Sequence, residues 1–335
     1  MVVAESALSA DAWNAEAASF LDLSLIQTWE YGAAKAESGS WEVVRLLIRE
    51  NEDIVGLCQC MAWKAPFVNV GVVWINRGPL WRRTSGENAS RLLEMLRALK
   101  SYWVDERGMY LLIAPPAGKD ALDASSLESC EFRPALMPRE WASATVDLDA
   151  PLEQLRAGLA RKWRNCLGKA ERSGLKCLSG TGGAVFSYVL EEYAGMLRRK
   201  KLKGAAKPDF LGALQARFGE ANKFLALVAV KDNERLGGLI IARYGRACEY
   251  LVGAVNDKGQ SLNAGNYLLW QAVTIMKGMG YDRFDLGGMH PIRTLPGILH
   301  FKSGLGGKPY ALIGNIEARR GGMVHGIIGR LLNRA

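Results

Sequence analysis

A lysine set among glycines offers the clearest opening for chemistry in this sequence. In Gly297-Ile298-Leu299-His300-Phe301-Lys302-Ser303-Gly304-Leu305-Gly306-Gly307, three glycines follow Lys302 within five positions. Such spacing suits backbones that approach one another closely. An ammonium aimed at an oxygen that gains negative charge lowers a reaction barrier by several kcal/mol where water is scarce. A surface lysine beside a buried phenylalanine is the competing reading, and the sequence leaves both open. Just upstream, Asp285 closes the apolar run of Phe284-Asp285-Leu286-Gly287-Gly288. Its carboxylate suits a general base for an attacking ammonium, or an acceptor for the amides of its own turn; the second is favoured. Histidine is the side chain suited to base chemistry near pH 7, which makes His290 and His300 alternative bases, although lone histidines more often serve structure. No Ser-His-Asp or Cys-His arrangement is present, so a covalent acyl-enzyme is not expected.

Charge adds a second kind of site. The chain has 335 residues, with 43 Lys and Arg against 34 Asp and Glu, for a formal +9. Between Arg156 and Lys207 stand thirteen basic and three acidic residues, a local +10. The other thirty basic and thirty-one acidic residues leave the rest of the chain at −1. Arg161, Lys162, Arg164, Lys169 and Arg172 recur through a segment whose Leu155, Leu159 and Trp163 share one helical face. A helix is expected over Arg156–Lys176, a loop at Ser179–Gly183 and a second helix over Phe186–Lys201. Together 151–207 is expected to form a basic helical layer, ending in the Arg198-Arg199-Lys200-Lys201 cluster. A solvated basic face is the plain alternative for any one of these residues.

The elements that would position these groups occur twice. Residues 41–56 read as strand, polar turn and strand, and so do residues 224–238. Strands follow at 70–81 and 247–256, then helices at 88–108 and 265–280, then apolar runs at 109–116 and 282–288. Leu92, Met95, Leu96, Leu99 and Trp103 keep a helical period in the first of these helices. Hairpin, strand, helix, strand, repeated some 180 residues apart, implies an α+β or α/β chain made of two copies of one small domain.

Composition bounds the rest. Hydrophobic residues are 49 % and charged residues 23 %, which excludes a disordered or fibrous chain. No apolar run reaches the ~20 residues of a membrane span. Met1–Phe20 has no Lys or Arg and carries Glu5, Asp11 and Glu16, unlike a signal or transit peptide; cytoplasmic residence is expected. Six cysteines are scattered, and Cys58 and Cys60 would share one strand face as packing residues. No metal site is expected.

In order along the chain, several strings resemble the Fem family of aminoacyl-tRNA-dependent transferases, whose domains are variants of the GNAT acyltransferase fold. Gln27-Thr28-Trp29-Glu30-Tyr31-Gly32 with Lys35 and Trp41 resembles the family's opening pattern. Arg161-Lys162-Trp163-Arg164-Asn165 and Lys169-Ala170-Glu171-Arg172-Ser173-Gly174 resemble its basic helix. Leu251-Val252-Gly253-Ala254 and the tract to Leu269-Trp270 resemble its strand and following helix. Phe284–Gly288 and Gly297–Gly307 are the strongest matches.

The resemblance implies two tandem GNAT-like domains, each a mixed, mostly antiparallel sheet flanked by helices. The family's long helical-hairpin arm is not expected, since 177–224 is too short for one. Expected boundaries are 1–150, 151–316 and a basic amphipathic tail at 317–335. The implied reaction moves an aminoacyl group from charged tRNA to an amine on an anionic cell-envelope precursor or peptide-like acceptor. Lys302 matches the lysine that stabilises charge on the acyl carbonyl. Lys35 and Arg198–Lys201 match positions that hold the anionic precursor, with Trp29, Tyr31 and Phe301 beside them. The basic helix would face tRNA or another anion, and no tightly bound cofactor is implied. Relatives with the same fold use acetyl-CoA, so an N-acetyltransferase acting on an amino sugar of an exported polysaccharide is the alternative. The CoA loop pattern has only a partial echo at Gln260 with Ala264-Gly265. A third reading is a non-catalytic module for RNA or an anionic membrane, the latter suggested by the tail.

Overall fold

The computed structural model describes residues 1–39, 41–65, 71–136, 139–200 and 205–320. The described residues fold as two compact units, 1–141 with 311–320, and 142–310. The expected limits at 150 and 316 lie a few residues beyond these points. Residues 321–335, most of the expected basic tail, lie outside the described residues, and its first residues are strand (β14, below).

In the first unit, β1 (Val2–Glu5), α1 (Ala10–Ala18) and α2 (Trp29–Glu37) precede the hairpin β2 (Glu42–Glu50) and β3 (Asp53–Lys64). Then come β4 (Gly71–Asn76), α3 (Ala89–Lys100), β5 (Tyr110–Ala114), α4 (Ala124–Ser129) and β6 (Arg133–Pro134). The expected helix at 88–108 is α3 continued by a π-turn at Ser101–Asp105. Asn88 caps α3, and Leu92, Met95, Leu96 and Leu99 are buried on the face the sequence marks. The Sγ atoms of Cys58 and Cys60 lie 3.7 Å apart on the buried face of β3.

The second unit runs β7 (Trp141–Asp147), α5 (Leu152–Ala157), α6 (Arg161–Arg172), β8 (Lys176–Gly180), α7 (Gly183–Lys200) and α8 (Pro208–Arg217). It continues with β9 (Leu225–Lys231), β10 (Glu234–Tyr244), β11 (Ala247–Val255), α9 (Asp257–Ser261), α10 (Ala264–Gly278), β12 (Arg283–Asp285), α11 (Pro296–Ser303) and β13 (Lys308–Leu312). A last strand, β14 (Ile316–Ala318), returns to the first sheet.

The single helix expected over Arg156–Lys176 is therefore two, followed by a strand. The break at Gly158–Ala160 has a tertiary cause. Ala160 is extended, and its amide donates to the Gly304 carbonyl at 3.0 Å instead of continuing a helix. In place of a helical-hairpin arm, α7 and α8 fill 183–217, and α7 packs on β9, β10 and β11.

Each unit has one seven-stranded sheet, in the orders β1-β2-β3-β4-β5-β14-β6 and β13-β7-β12-β11-β10-β9-β8. Among the described strand pairs, β4 with β5 and β11 with β12 are parallel and the others are antiparallel. The first sheet covers α3 with Leu46, Ile48, Cys58, Val73, Leu111 and neighbours; the second covers α6 and α10 with Leu227, Ala229, Ile241, Cys248 and Phe284. Burial of these faces at about 25 cal/mol per Å² is the main stabilising term in each unit.

Candidate active site

The parallel pair of the second unit is short. Only Ala247–Glu249 pair with Arg283–Asp285; β11 continues to Val255 while β12 turns away. A bulge in β11 lies alongside, because Ile240 faces Val252 and Ile241 faces Tyr250, leaving Leu251 unpaired. Leu286 donates to Ala144 of β7, and Gly287 follows with φ +68°. A Cβ at Gly287 would lie 2.5 Å from the Tyr250 carbonyl oxygen, so only glycine lets the chain turn this close to β11.

Lys302 comes to this point from α11. It is 6 % exposed, and its Nζ donates to the Gly288 carbonyl at 3.2 Å. The ammonium lies 4.8 Å from the centre of the Tyr250 ring, a cation–π contact. Among the described residues no carboxylate forms an ion pair with it. Burial pushes its pKa down to about 8, while Glu249 and Asp285 pull the other way. The same apolar surroundings push the Tyr250 phenol up.

Asp285 is equally buried and fully engaged. Its Oδ1 accepts from Ser143 Oγ at 2.6 Å and from the Gly287 amide at 2.8 Å; Oδ2 accepts from the Tyr310 hydroxyl at 2.5 Å. Ser143 also lies 2.7 Å from the Gly287 carbonyl. These contacts tie β12, β7, β13 and the glycine turn together around one carboxylate. Ser143, Tyr250 and Tyr310 carry no local sequence signal for this; their partners are 25 to 142 residues away and meet them only because the sheet brings them together.

The glycines after Lys302 do admit a close neighbour. A Cβ on Gly304 would meet Trp163 Cδ1 at 2.4 Å. Phe301 packs on Trp163 with ring centres 6.3 Å apart, and on the start of α10 at Gly265. His300 is exposed, and His290 Nδ1 accepts from the amides of Ile292 and Arg293, holding the loop before α11.

On α6, Trp163, Leu167 and Ala170 point inward, and Arg161, Lys162, Arg164, Lys169 and Arg172 lie on its more open faces. At 100° per residue, Arg161, Lys162, Lys169 and Arg172 fall within one stripe opposite the buried face. None of these four is ion-paired among the described residues. Arg164 donates to the Ala157 carbonyl. Arg156 of α5 grips Glu171 through both carboxylate oxygens, which removes the helix's one acid from the stripe. Arg198, Arg199 and Lys200 are exposed in the last turn of α7.

Trp29, Tyr31 and Lys35 belong to the first unit, on α2. Lys35 Nζ lies 5.8 Å from the Tyr31 ring centre. Trp29 is covered by the Arg45 guanidinium, 3.4 Å from its ring centre, and Arg45 also donates to the Trp29 carbonyl. Gln27 is wholly buried: its Nε2 donates to Asn76 O at 2.7 Å and Gln59 O at 3.3 Å, and its Oε1 accepts from Gln59 N at 2.8 Å. Lys302, Asp285 and Phe301 thus share one site, with α6 against it through Trp163. Trp29, Tyr31 and Lys35 lie on α2 of the first unit, and Arg198, Arg199 and Lys200 at the end of α7 of the second.

In the α9 segment four backbone amides have acceptors within the segment: those of Gly259, Gln260, Leu262 and Asn263 donate to Asn256 Oδ1 and to the carbonyls of Asn256, Lys258 and Gln260. By contrast, α10 starts at Asn263 without a side-chain cap.

Residues 146–303 match a family model described as an acetyltransferase (GNAT) domain. No curated protein matches significantly. Among solved structures, FemX is similar over 98 % of this chain and 99 % of its own, with a TM-score of 0.80 at 14 % identity. The C-terminal domain of a putative lysylphosphatidylglycerol synthetase from Agrobacterium fabrum covers 96 % and 95 %, with 0.51 at 14 %. A conserved protein of unknown function from Bacteroides thetaiotaomicron covers 95 % and 100 %, with 0.59 at 9 %. The fold is Fem-like, two tandem GNAT-like domains, and most of the second unit is similar to the GNAT acetyltransferase domain. Among the described residues no helix is long and apolar enough to cross a membrane.

Proposed function

We propose that this protein is an amide-forming aminoacyltransferase that takes its acyl group from charged tRNA and delivers it to an amine of an anionic envelope precursor or peptide-like acceptor. The observation that carries this reading is Lys302: a buried ammonium with no carboxylate partner among the described residues, set where β12 leaves β11. In the reaction the acceptor nitrogen attacks the ester carbonyl of the donor. An N–C bond forms, negative charge collects on the carbonyl oxygen beside Lys302, and the C–O bond to the ribose then breaks. The leaving oxygen takes up the proton the nitrogen gives away. Asp285, with both oxygens occupied, acts by holding the turn and not as the base.

One feature favours RNA over CoA as the carrier: the four cations of the α6 stripe suit a polyanionic backbone. The exposed Arg198, Arg199 and Lys200, and Lys35 on α2, suit a phosphate-bearing acceptor. Peripheral contact with an anionic membrane follows if that acceptor is lipid-linked.

The test is mass spectrometry of amine-bearing envelope precursors incubated with the protein and either total charged tRNA or acetyl-CoA. A new amide is expected with charged tRNA alone, and ribonuclease pretreatment of the donor should abolish it. Product in the acetyl-CoA arm, or product that survives ribonuclease, overturns the tRNA reading. Salt-sensitive RNA binding without turnover in either arm would leave only a binding module.

A further inference from the structure

The last turn of α11 leaves one carbonyl to be satisfied from outside. His300 O accepts from Gly304 N, Lys302 O from Leu305 N, and Ser303 O from Gly306 N. Phe301 O has no such partner in the chain that follows, and it accepts instead from Trp163 Nε1 at 2.9 Å. Helix ends need such outside partners for their orphan groups. The contact spans 138 residues. It is reinforced on both sides: Gly304 O accepts the Ala160 amide at the start of α6, and the Trp163 ring lies on Phe301 and against Gly304. Trp163 is itself buried among Leu159, Leu167 and Ala170. The residues just before and after it, Lys162 and Arg164, are exposed.

We propose that Trp163 is a positioning residue for catalysis: it registers α6 against the last turn of α11 and so fixes Lys302 at the departure of β12. The cationic outer face of α6 and the ammonium of Lys302 then belong to one rigid assembly, and a donor seated on the first presents its ester to the second. The last clause rests on the proposed aminoacyl transfer. The positioning of Lys302 does not.

The experiment uses the full chain and two variants. Trp163→Phe keeps a ring on Phe301 and removes the donor. Gly304→Ala displaces the same ring from the other side. Lys302 is followed by brief labelling with acetic anhydride across pH, read by mass spectrometry of its peptide. In the parent protein Lys302 should label slowly, with a midpoint well below that of an ordinary lysine. Each variant, still folded by circular dichroism, should label at least threefold faster at pH values above both midpoints, where the amine is neutral, with the midpoint moved up toward the ordinary value. The double variant should add little to either single change, because both act through one contact. If an aminoacylation assay is in hand, Trp163→Phe should lower kcat about tenfold, the scale of one hydrogen bond removed, and leave the donor KM alone. Unchanged Lys302 labelling in both variants, or strictly additive effects, overturns the proposal. Altered labelling in the absence of any acyl transfer supports the positioning and counts against the aminoacyltransferase reading alone.

Discussion

The two units build the same sheet and finish its parallel pair differently. In the first, five residues of β4, Val72–Asn76, pair with Tyr110–Ala114, and Arg77 N extends the ladder to Ala114 O at 2.8 Å. In the second, the ladder stops after three residues and the lysine of α11 occupies the place where it stops. The helix after β5, α4, carries no lysine in Ala124–Ser129. The first sheet does part, but between β3 and β4, and there the Gln27 amide bridges Gln59 and Asn76 as a strand would. A repeated fold therefore extends its parallel ladder in one copy and sets a buried lysine where it stops in the other. Under the proposed reaction the chemistry falls to the second unit.

The sharpest way to break this contrast is Lys302→Ala. It should lower turnover by about 10²–10³, the cost of losing one preorganised charge at a developing oxyanion, with the melting temperature little changed. Activity that survived it would place the chemistry elsewhere. Gln27→Ala should do the reverse. It strands the Gln59 and Asn76 groups in a dry sheet and costs about 3 kcal/mol of stability by urea unfolding, while turnover per folded molecule stays near the parent value.

A third, smaller effect depends on pH. The native pKa of Lys302, about 8, lies below its unfolded value of 10.5, so between those values the unfolded chain holds more protons. Stability should rise modestly as pH climbs from 8 toward 10. Turnover should fall over the same range as the ammonium is lost, and Lys302→Arg, which stays charged, should abolish that fall even if its rate is low. Parallel rather than opposed trends would show that the neutral amine is the active form.

The smallest effect concerns the α6 stripe. Replacing Lys169 and Arg172 with Gln should weaken RNA binding and reduce its salt dependence by about one unit of log–log slope for each cation removed. The melting temperature should move little, since neither side chain belongs to the buried face of α6.

Much of this was legible in the sequence where signals are local. Apolar runs broken by a polar turn marked both hairpins, the period of Leu92–Leu99 marked α3, and the glycines after Lys302 marked a close backbone approach, which Gly306 makes to the Gly158 carbonyl. Non-local pairing hid the rest. The break before α6 depends on Gly304, 144 positions past Ala160. The strand β8 depends on β9, and the turn-holding role of Asp285 depends on Ser143 and Tyr310. Gln27 heads a string that resembles a family motif, yet its burial and its three bonds to strand backbones show it to be internal joinery.

The placement of β14 has a consequence for how the protein is made. This strand lies between β5 and β6 and bonds to both, with Ile316 facing Ile113 on one side and Pro134 on the other. A ribosome that has delivered residues 1–141 has therefore released a sheet with a missing plank, two neighbouring strands exposing unpaired amides and carbonyls. Those edges invite pairing with other nascent chains until residue 318 emerges. The second sheet has all its strands once Leu312 is made, before the first sheet receives β14, against the usual order of synthesis.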